Sequence, residues 1–315
     1  MKIATVTLNP AIDQTVRVNN FRTNTVNRGQ AMQFNAGGKG VNVASFLADT
    51  GHKVAVTGFL GQDNAEIFER FFARKHIDDH FVRIPGETRT GVKIVDEANQ
   101  YTTDINMPGL TPLPEAMEAM FGQIEQLALT CDWFVLAGAL PPGVPTTTYA
   151  TIITRLKELG KRVVLDTSGE ALRHGVLAGP TVIKPNIDEL RELTGQALAN
   201  EFDIELASSE LLSDSIRLVV VSMGKRGAMF VDQERALVAT PPTVTVKSTV
   251  GAGDAMVAGL LAGLVQGMSL ADCARLATAY SLGRITSLSS NLPAPEELQA
   301  YIQQVAIHTC SSISL

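Results

Sequence analysis

The chain is short of the residues on which several protein classes depend. Cysteine occurs only three times in 315 residues, at Cys131, Cys273 and Cys310, and never with C-x-x-C spacing. An odd, scattered set excludes a disulfide framework and a structural zinc site and marks ordinary thiols. Basic residues do not dominate either. With 26 Lys and Arg against 32 Asp and Glu, the net charge is −6, which disfavours a nucleic-acid partner and leaves any anionic ligand to a local cluster of donors. Long apolar runs are missing too. The most apolar stretch, Ala255 to Val265, is fenced by Asp254 and Gln266 and falls short of a bilayer span, so no membrane partner is expected. The opening M-K-I-A-T-V-T-L-N-P-A-I-D has too brief an apolar run for a signal peptide. No repeat, low-complexity tract or linker divides the chain. These absences predict a cytoplasmic protein with a single domain over residues 1–315.

What is present is an α/β rhythm. Ile3 to Leu8, Lys53 to Phe59, Trp133 to Ala137, Arg162 to Asp166, Thr181 to Lys184 and Leu218 to Ser222 are short, nearly all apolar and rich in β-branched residues, as strands buried on both faces should be. Helical patterns lie between them, near Gly40 to Thr50, Ala65 to Lys75, Pro114 to Leu129, Thr147 to Leu159 and Ile187 to Thr194. The alternation predicts a parallel sheet with helices on both faces. Two regions break it. Gln14 to Phe34 and Thr90 to Met107 carry polar, β-prone stretches such as Q-T-V-R-V and G-V-K-I-V, which read as an exposed antiparallel sheet forming a flap over the main sheet's edge. The C-terminal part, Ala252 to Gln266, Leu270 to Ser287 and Pro295 to Ile307, reads as helix.

Several motifs sit where strands end. In A-G-G-K-G-V-N-V-A, Gly37, Gly38 and Gly40 surround Lys39 just before a helix, with Asn42 in its first turn. Backbone N–H groups, a positive helix end and an ammonium can converge on an anion there, although a flexible turn explains the loop equally well. Asp13, just past the first strand, stands at the edge where open α/β sheets bind ligands, and it also suits a plain turn after Pro10. K-P-N-I-D-E places Asn186 and Glu189 as a capping box. Lys184 at the strand end could reach a nucleotide phosphate, and Asn186 with Glu189 could order magnesium-bound water. S-M-G-K-R-G-A, from Ser222 to Ala228, is either a hairpin or the wall of a nucleotide pocket. In S-T-V-G-A-G-D-A-M, the amides of Gly251, Ala252 and Gly253 at a helix start suit the charge of a transferring phosphoryl group. Asp254 in the first helical turn is either a helix cap or a base.

Other patterns carry no chemistry. The histidines of H-I-D-D-H, His76 and His80, straddle a helix end and do not share a face. Gly259, Gly263 and Gly267 fit G-x-x-x-G, but the helix is too short for a membrane, and close packing on the sheet accounts for them. D-T-S-G-E, from Asp166 to Glu170, lacks any S-x-x-K or G-x-S-x-G context for a nucleophile.

A-G-G-K-G-V-N-V-A early and S-T-V-G-A-G-D-A-M-V-A-G late resemble the two hallmark motifs of the ribokinase-like (PfkB) carbohydrate kinases. T-L-N-P-A-I-D, L-P-P-G-V (Leu140 to Val144), K-P-N-x-x-E and S-M-G-K-R-G-A match in order and spacing, so the likeness covers nearly the whole chain. V-N-R-G, T-D-I-N-M-P-G and V-K-S-T-V-G-A-G-D are similar to the bacterial members that phosphorylate an already phosphorylated ketohexose. Many relatives carry Asp-Thr where this chain has Ser248-Thr249.

The resemblance implies a ribokinase-like α/β fold with a mostly parallel central sheet and a small β-sheet lid, from segments near 12–35 and 88–107. It implies ATP- and magnesium-dependent phosphorylation of fructose 1-phosphate, with tagatose 6-phosphate and fructose 6-phosphate as rival acceptors. A sugar-phosphate-binding regulator without turnover is the alternative from another class. Asp254 would be the base and Gly251, Ala252 and Gly253 the anion hole. Asp13, Gly37, Gly38, Lys39 and Asn42 would form the sugar site, with Arg89, and Arg28 as a second candidate, on the substrate's phosphate. Lys184, Asn186, Ser222, Gly224, Gly227 and Gly253 would line the ATP side, with magnesium near Asn186 and Glu189. A homodimer through the lid is also implied.

Overall fold

The first strand, Lys2–Thr7, sends Ile3 to one side and Ala4 and Val6 to the other, and all three are fully buried. Strands Cys131–Ala137 and Arg162–Asp166 do the same, with Val135 and Val164 in one core and Phe134 and Leu165 in the other. Two apolar faces need two covering layers, and these strands therefore sit inside a sheet sandwiched by helices. The structure is a computed structural model that describes residues 1–99, 101–287 and 291–310.

The main sheet runs in the order Ala306–Thr309, Ala236–Thr240, Ala228–Val231, Leu218–Ser222, Val182–Ile183, Arg162–Asp166, Cys131–Ala137, Lys2–Thr7, Lys53–Gly61 and Asp78–Asp79, with Val82–Ile84 also paired to Lys53–Gly61. Pairing is parallel from Leu218–Ser222 to Asp78–Asp79 and antiparallel beyond. Lys2–Thr7 lies between Lys53–Gly61 and Cys131–Ala137, so the strand order reverses there and opens a crevice at the strands' C-terminal ends. Helices Lys39–Asp49, Ala252–Val265 and Leu270–Ile285 share the core on one face, and Pro114–Ala128, Thr148–Glu158 and Glu201–Ser209 share that on the other.

A second sheet has the order Gly29–Gly37, Ala11–Val18, Thr90–Asp96, Tyr101–Ile105. It is not wholly antiparallel as expected, because its central pair, Ala11–Val18 with Thr90–Asp96, is parallel. Both segments leave the same edge of the main sheet, so their outgoing strands run together and each returns as a hairpin. Register gives the sheet two unlike faces. Asp13, Asn35, Gly91 and Asp104 alternate with Val16, Phe34, Val92 and Ile105, and in a strand such alternation puts a more polar and a more apolar set on opposite sides.

Two other expectations change. The last helix, Pro295–Gln304, gives way to strand Ala306–Thr309, which pairs with Ala236–Thr240. Gly259 and Gly263 pack not on the sheet but on helix Leu270–Ile285, where a Cβ on Gly259 would stand 2.7 Å from the Leu276 carbonyl and one on Gly263 2.8 Å from Cys273 Sγ. Gly267 turns the chain at φ +70° in open space. Among the described residues no helix is long and apolar enough to cross a membrane.

Candidate active site

Strand ends and the starts of helices Lys39–Asp49, Ile187–Thr194 and Ala252–Val265 supply the site. Helix Ala252–Val265 begins at Gly251, which takes φ +78°, a left-handed conformation that glycine adopts without strain. Ala252 N–H donates to the Thr249 carbonyl at 3.3 Å, leaving the amides of Gly253 and Asp254 in a first turn that offers them no intrahelical partner. Asp254 is 6% exposed. Its Oδ2 accepts from Asn42 Nδ2 at 2.8 Å, and Asn42 lies in the first turn of helix Lys39–Asp49. Burial and the nearby Asp166 push the Asp254 pKa from 3.8 up to about 6, against the pull of Lys39, Asn42 and Lys184. A carboxylate with a raised pKa, oriented by one hydrogen bond beside helix amides, is equipped to take a proton near neutral pH.

The glycines of A-G-G-K-G are required by how closely the loop lies on its neighbours. A Cβ on Gly37 would run into the Asp13 carboxylate, one on Gly40 into Thr7 Oγ1, and one on Gly38 would stand 3.0 Å from Pro10 Cα. The contacts bring Asp13 and Lys39 to the same corner. Asp13 itself lies within strand Ala11–Val18, not in a turn. Burial raises its pKa, with Lys93, Arg89 and Arg284 opposing.

Lys39 and Lys184 meet at Asp166. Asp166 Oδ1 accepts from Lys39 Nζ at 2.9 Å and lies 3.4 Å from Lys184 Nζ. Its Oδ2 is buried with no hydrogen-bond partner among the described residues. Burial alone would raise the Asp166 pKa, but the two lysines outweigh it and hold the carboxyl below its usual value. Burial would likewise lower that of Lys39, yet Asp166 and Asp254 hold it above the usual lysine range. A Cβ on Gly253 would stand 3.4 Å from Lys184 Nζ, so the lysine of K-P-N reaches the G-A-G-D turn. Asp166 opens D-T-S-G-E, a run whose sequence context supports no nucleophile and marks no other role. The available signal was an acidic residue at the end of a buried strand, the same signal that singled out Asp13.

An amide-lined helix start, a buried carboxylate and two lysines on a second carboxylate suit the chemistry of phosphoryl transfer, and residues 6–297 match the profile of the pfkB family carbohydrate kinases. The chain belongs to that family. As a pfkB kinase it is a phosphotransferase acting on a sugar hydroxyl. It is 46% identical over 310 residues to a 1-phosphofructokinase of Rhodobacter capsulatus, covering 98% of each chain. Identity is 40% over 306 residues to a 1-phosphofructokinase of Vibrio cholerae, covering 97% of this chain and 96% of the other. Among solved structures, phosphofructokinase-2 of Escherichia coli in complex with substrates and products superposes with a TM-score of 0.90 at 28% identity, covering 96% of this chain and 99% of that one.

The remaining residues of this pfkB kinase fall in several places. Asn186 Oδ1 accepts from Glu189 N–H and Glu189 Oε2 from Asn186 N–H, each at 2.8 Å, which completes the capping box. Asn186 bridges to Ser222 in register, and Ser222 N–H donates to the Pro185 carbonyl at 3.0 Å, so two of the strand-end motifs are neighbours. S-M-G-K-R-G-A is a hairpin whose turn is a short 3-10 helix, Gly224–Arg226. Gly227, at φ +90°, is forced by the Ala239 carbonyl, which a Cβ would strike. Arg89 donates to the carbonyls of Pro10, Met107 and Asn9 at 3.2, 3.0 and 3.0 Å. Its guanidinium thus ties both crossings between the two sheets. Arg28 is exposed in the loop before strand Gly29–Gly37. Lys93 and Arg284, which act on Asp13, were not singled out from the sequence. Neither lies in a glycine-rich or strand-end motif.

Proposed function

We propose that this kinase transfers the γ-phosphoryl group of ATP to fructose 1-phosphate, giving fructose 1,6-bisphosphate and ADP. The observation that carries the assignment is the buried Asp254 carboxylate, held by Asn42 at a helix start in a chain related along its length to 1-phosphofructokinases. The oxygen of the sugar's 6-hydroxyl bonds to the γ-phosphorus while the bond from that phosphorus to the β,γ-bridging oxygen breaks. ADP keeps the electron pair, and the hydroxyl proton passes to Asp254. Of the anion hole expected from Gly251, Ala252 and Gly253, the Ala252 N–H is taken up by the Thr249 carbonyl, so the amides of Gly253 and, beyond that set, Asp254 receive the charge spread over the phosphoryl oxygens. Asp13, Gly37, Gly38, Lys39 and Asn42 hold the sugar, with Arg89 and Arg28 toward its phosphate. Lys184, Asn186, Ser222, Gly224 and Gly227 line the nucleotide side.

Asn186 and Glu189 offer hard oxygen donors, and among the described residues no three His, Cys, Asp or Glu side chains cluster to cage a metal. That donor set suits magnesium held mainly by phosphates and water, where it would neutralise nucleotide charge. The second sheet acts as a lid, its polar side, with Asp13, turned to the crevice. Its apolar side exposes Met32, Phe34, Tyr101 and Ile105, each at least 47% accessible, and pairs with the same side of a second copy.

The test is ADP release over fructose 1-phosphate, fructose 6-phosphate and tagatose 6-phosphate. We expect kcat/KM for fructose 1-phosphate to exceed the others by at least about tenfold, since a misplaced phosphate leaves charged groups unpaired. Equal or inverted preference rejects the assignment.

A further inference from the structure

Helix Leu270–Ile285 carries Arg284 in its last turn. A cation there has an ordinary explanation, since it opposes the negative end of the helix dipole. Its surroundings go further. Through Gly259 and Gly263, helix Ala252–Val265 lies so close to this helix that a side-chain carbon would meet its backbone or Cys273, which fixes one against the other. The N–H groups of Lys247 and Ser248 both donate to the Ile285 carbonyl, at 2.8 and 3.3 Å, and so tie the entry of the G-A-G-D loop to the same helix end. Arg284 then lies along the Gly251 turn. A Cβ on Gly251 would stand 3.2 Å from its Nε and 3.8 Å from its Cδ and Cγ. Its Nη1 is anchored on the Ser287 carbonyl at 2.9 Å. Burial lowers its pKa while Asp254 and Asp13 act to raise it, so its charge bears on one carboxylate at a helix start and one in the second sheet.

We propose that Arg284 is a positioning residue of the phosphoryl-transfer site, its stem bracing the Gly251 turn and its charge shared between the carboxylates of Asp254 and Asp13. The inference rests on the kinase reading above but not on the identity of the sugar. Asp254 also faces Asp166, Lys39, Lys184 and Asn42, and Asp13 also faces Lys93, Arg89 and Asp104. Removing Arg284 therefore takes away one of several cations, and the base becomes easier to protonate without being lost.

The test compares Arg284→Met, which keeps an aliphatic stem over Gly251 without charge, with Arg284→Lys, which keeps the charge. The pH dependence of kcat/KM is measured with whichever sugar phosphate the wild-type enzyme turns over fastest. A wrong sugar assignment then shows in the wild type alone. Arg284→Met is expected to lower kcat on the order of 30- to 300-fold, to leave the KM for ATP within about threefold, and to move the acid limb to higher pH. Arg284→Lys keeps the limb in place and recovers most of kcat. An acid limb unmoved in Arg284→Met, or moved equally in Arg284→Lys, overturns the proposal. Should the methionine variant fail to fold, the lysine variant decides: a limb at the wild-type position supports the role, and a displaced one refutes it.

Discussion

Asn42 Nδ2 lies 2.8 Å from Asp254 Oδ2, joining the first turns of two helices whose residues are 212 apart in sequence. The bond aims the carboxylate and stabilises its charged form, yet burial and Asp166 still raise its pKa to about 6. The loss of kcat/KM toward acid should therefore follow a single protonation near pH 6, since kcat/KM reports the free enzyme. Asn42→Ala removes the donor and should move that limb upward, with kcat/KM falling about tenfold at pH 7. A limb that moved down on this substitution would mean that Asn42 does not serve the base.

Asp254→Asn should abolish most turnover, by a factor on the order of 10² to 10⁴, while ATP still binds in calorimetry. The same variant should be more stable than the wild type at pH 8. With a folded pKa near 6 against an ordinary 3.8, the protonated form favours the fold, and this contribution is lost as pH rises through about 6. Above that pH the buried charge costs on the order of 1 to 3 kcal/mol, which asparagine avoids. Urea unfolding at pH 8 and pH 4 checks the sign, because the gain should vanish at pH 4.

Asp166 is 1% exposed between two lysines. Asp166→Asn takes the shared counter-charge from buried Lys184 and from Lys39, whose side chain is 40% exposed and still faces Asp254, a loss on the order of 1 to 3 kcal/mol once solvent screening of Lys39 is allowed for. Because the native pKa is held below the ordinary value, this stabilisation is present above pH 3.8 and lost as pH falls through the lowered native value. Denaturant midpoints for the variant and wild type should accordingly differ at pH 7 and converge in strong acid. KM should rise for both substrates if, as proposed, Lys39 serves the sugar and Lys184 the nucleotide.

Arg89 spends three donors on the carbonyls of Asn9, Pro10 and Met107. Arg89→Ala should raise the KM for the sugar phosphate by the equivalent of about 1.5 to 3 kcal/mol. It should also speed hydrogen exchange at the crossings into the second sheet, where those carbonyls lose their clamp. A raised KM with unchanged exchange would confine Arg89 to the ligand.

Phe34→Asp places a charge among Met32, Tyr101 and Ile105 on the apolar side of the second sheet. Sedimentation should show a dimer for the wild type and a monomer for the variant, since burying an unpaired charge at such an interface is costly. A variant as dimeric as the wild type would place the subunit contact elsewhere.

The sequence by itself determined what depends on local backbone chemistry and on the period of burial. Two-faced apolar strands such as Arg162–Asp166 could only lie inside a covered sheet. K-P-N-I-D-E could cap its own helix, because both partners of each bond lie within four residues. The glycines before Lys39 and Asp254 marked turns that carry backbone amides. Tertiary structure alone decided which distant groups meet. Asp166 joins Lys39 to Lys184, Arg284 lies over Gly251, and two hairpins pair in parallel through Ala11–Val18 and Thr90–Asp96. The shift of Asp254 is of the same kind, because it is set by desolvation and by charges from other strand ends. Helix and turn rules act over three or four residues, whereas burial and Coulomb interactions depend only on distance in space.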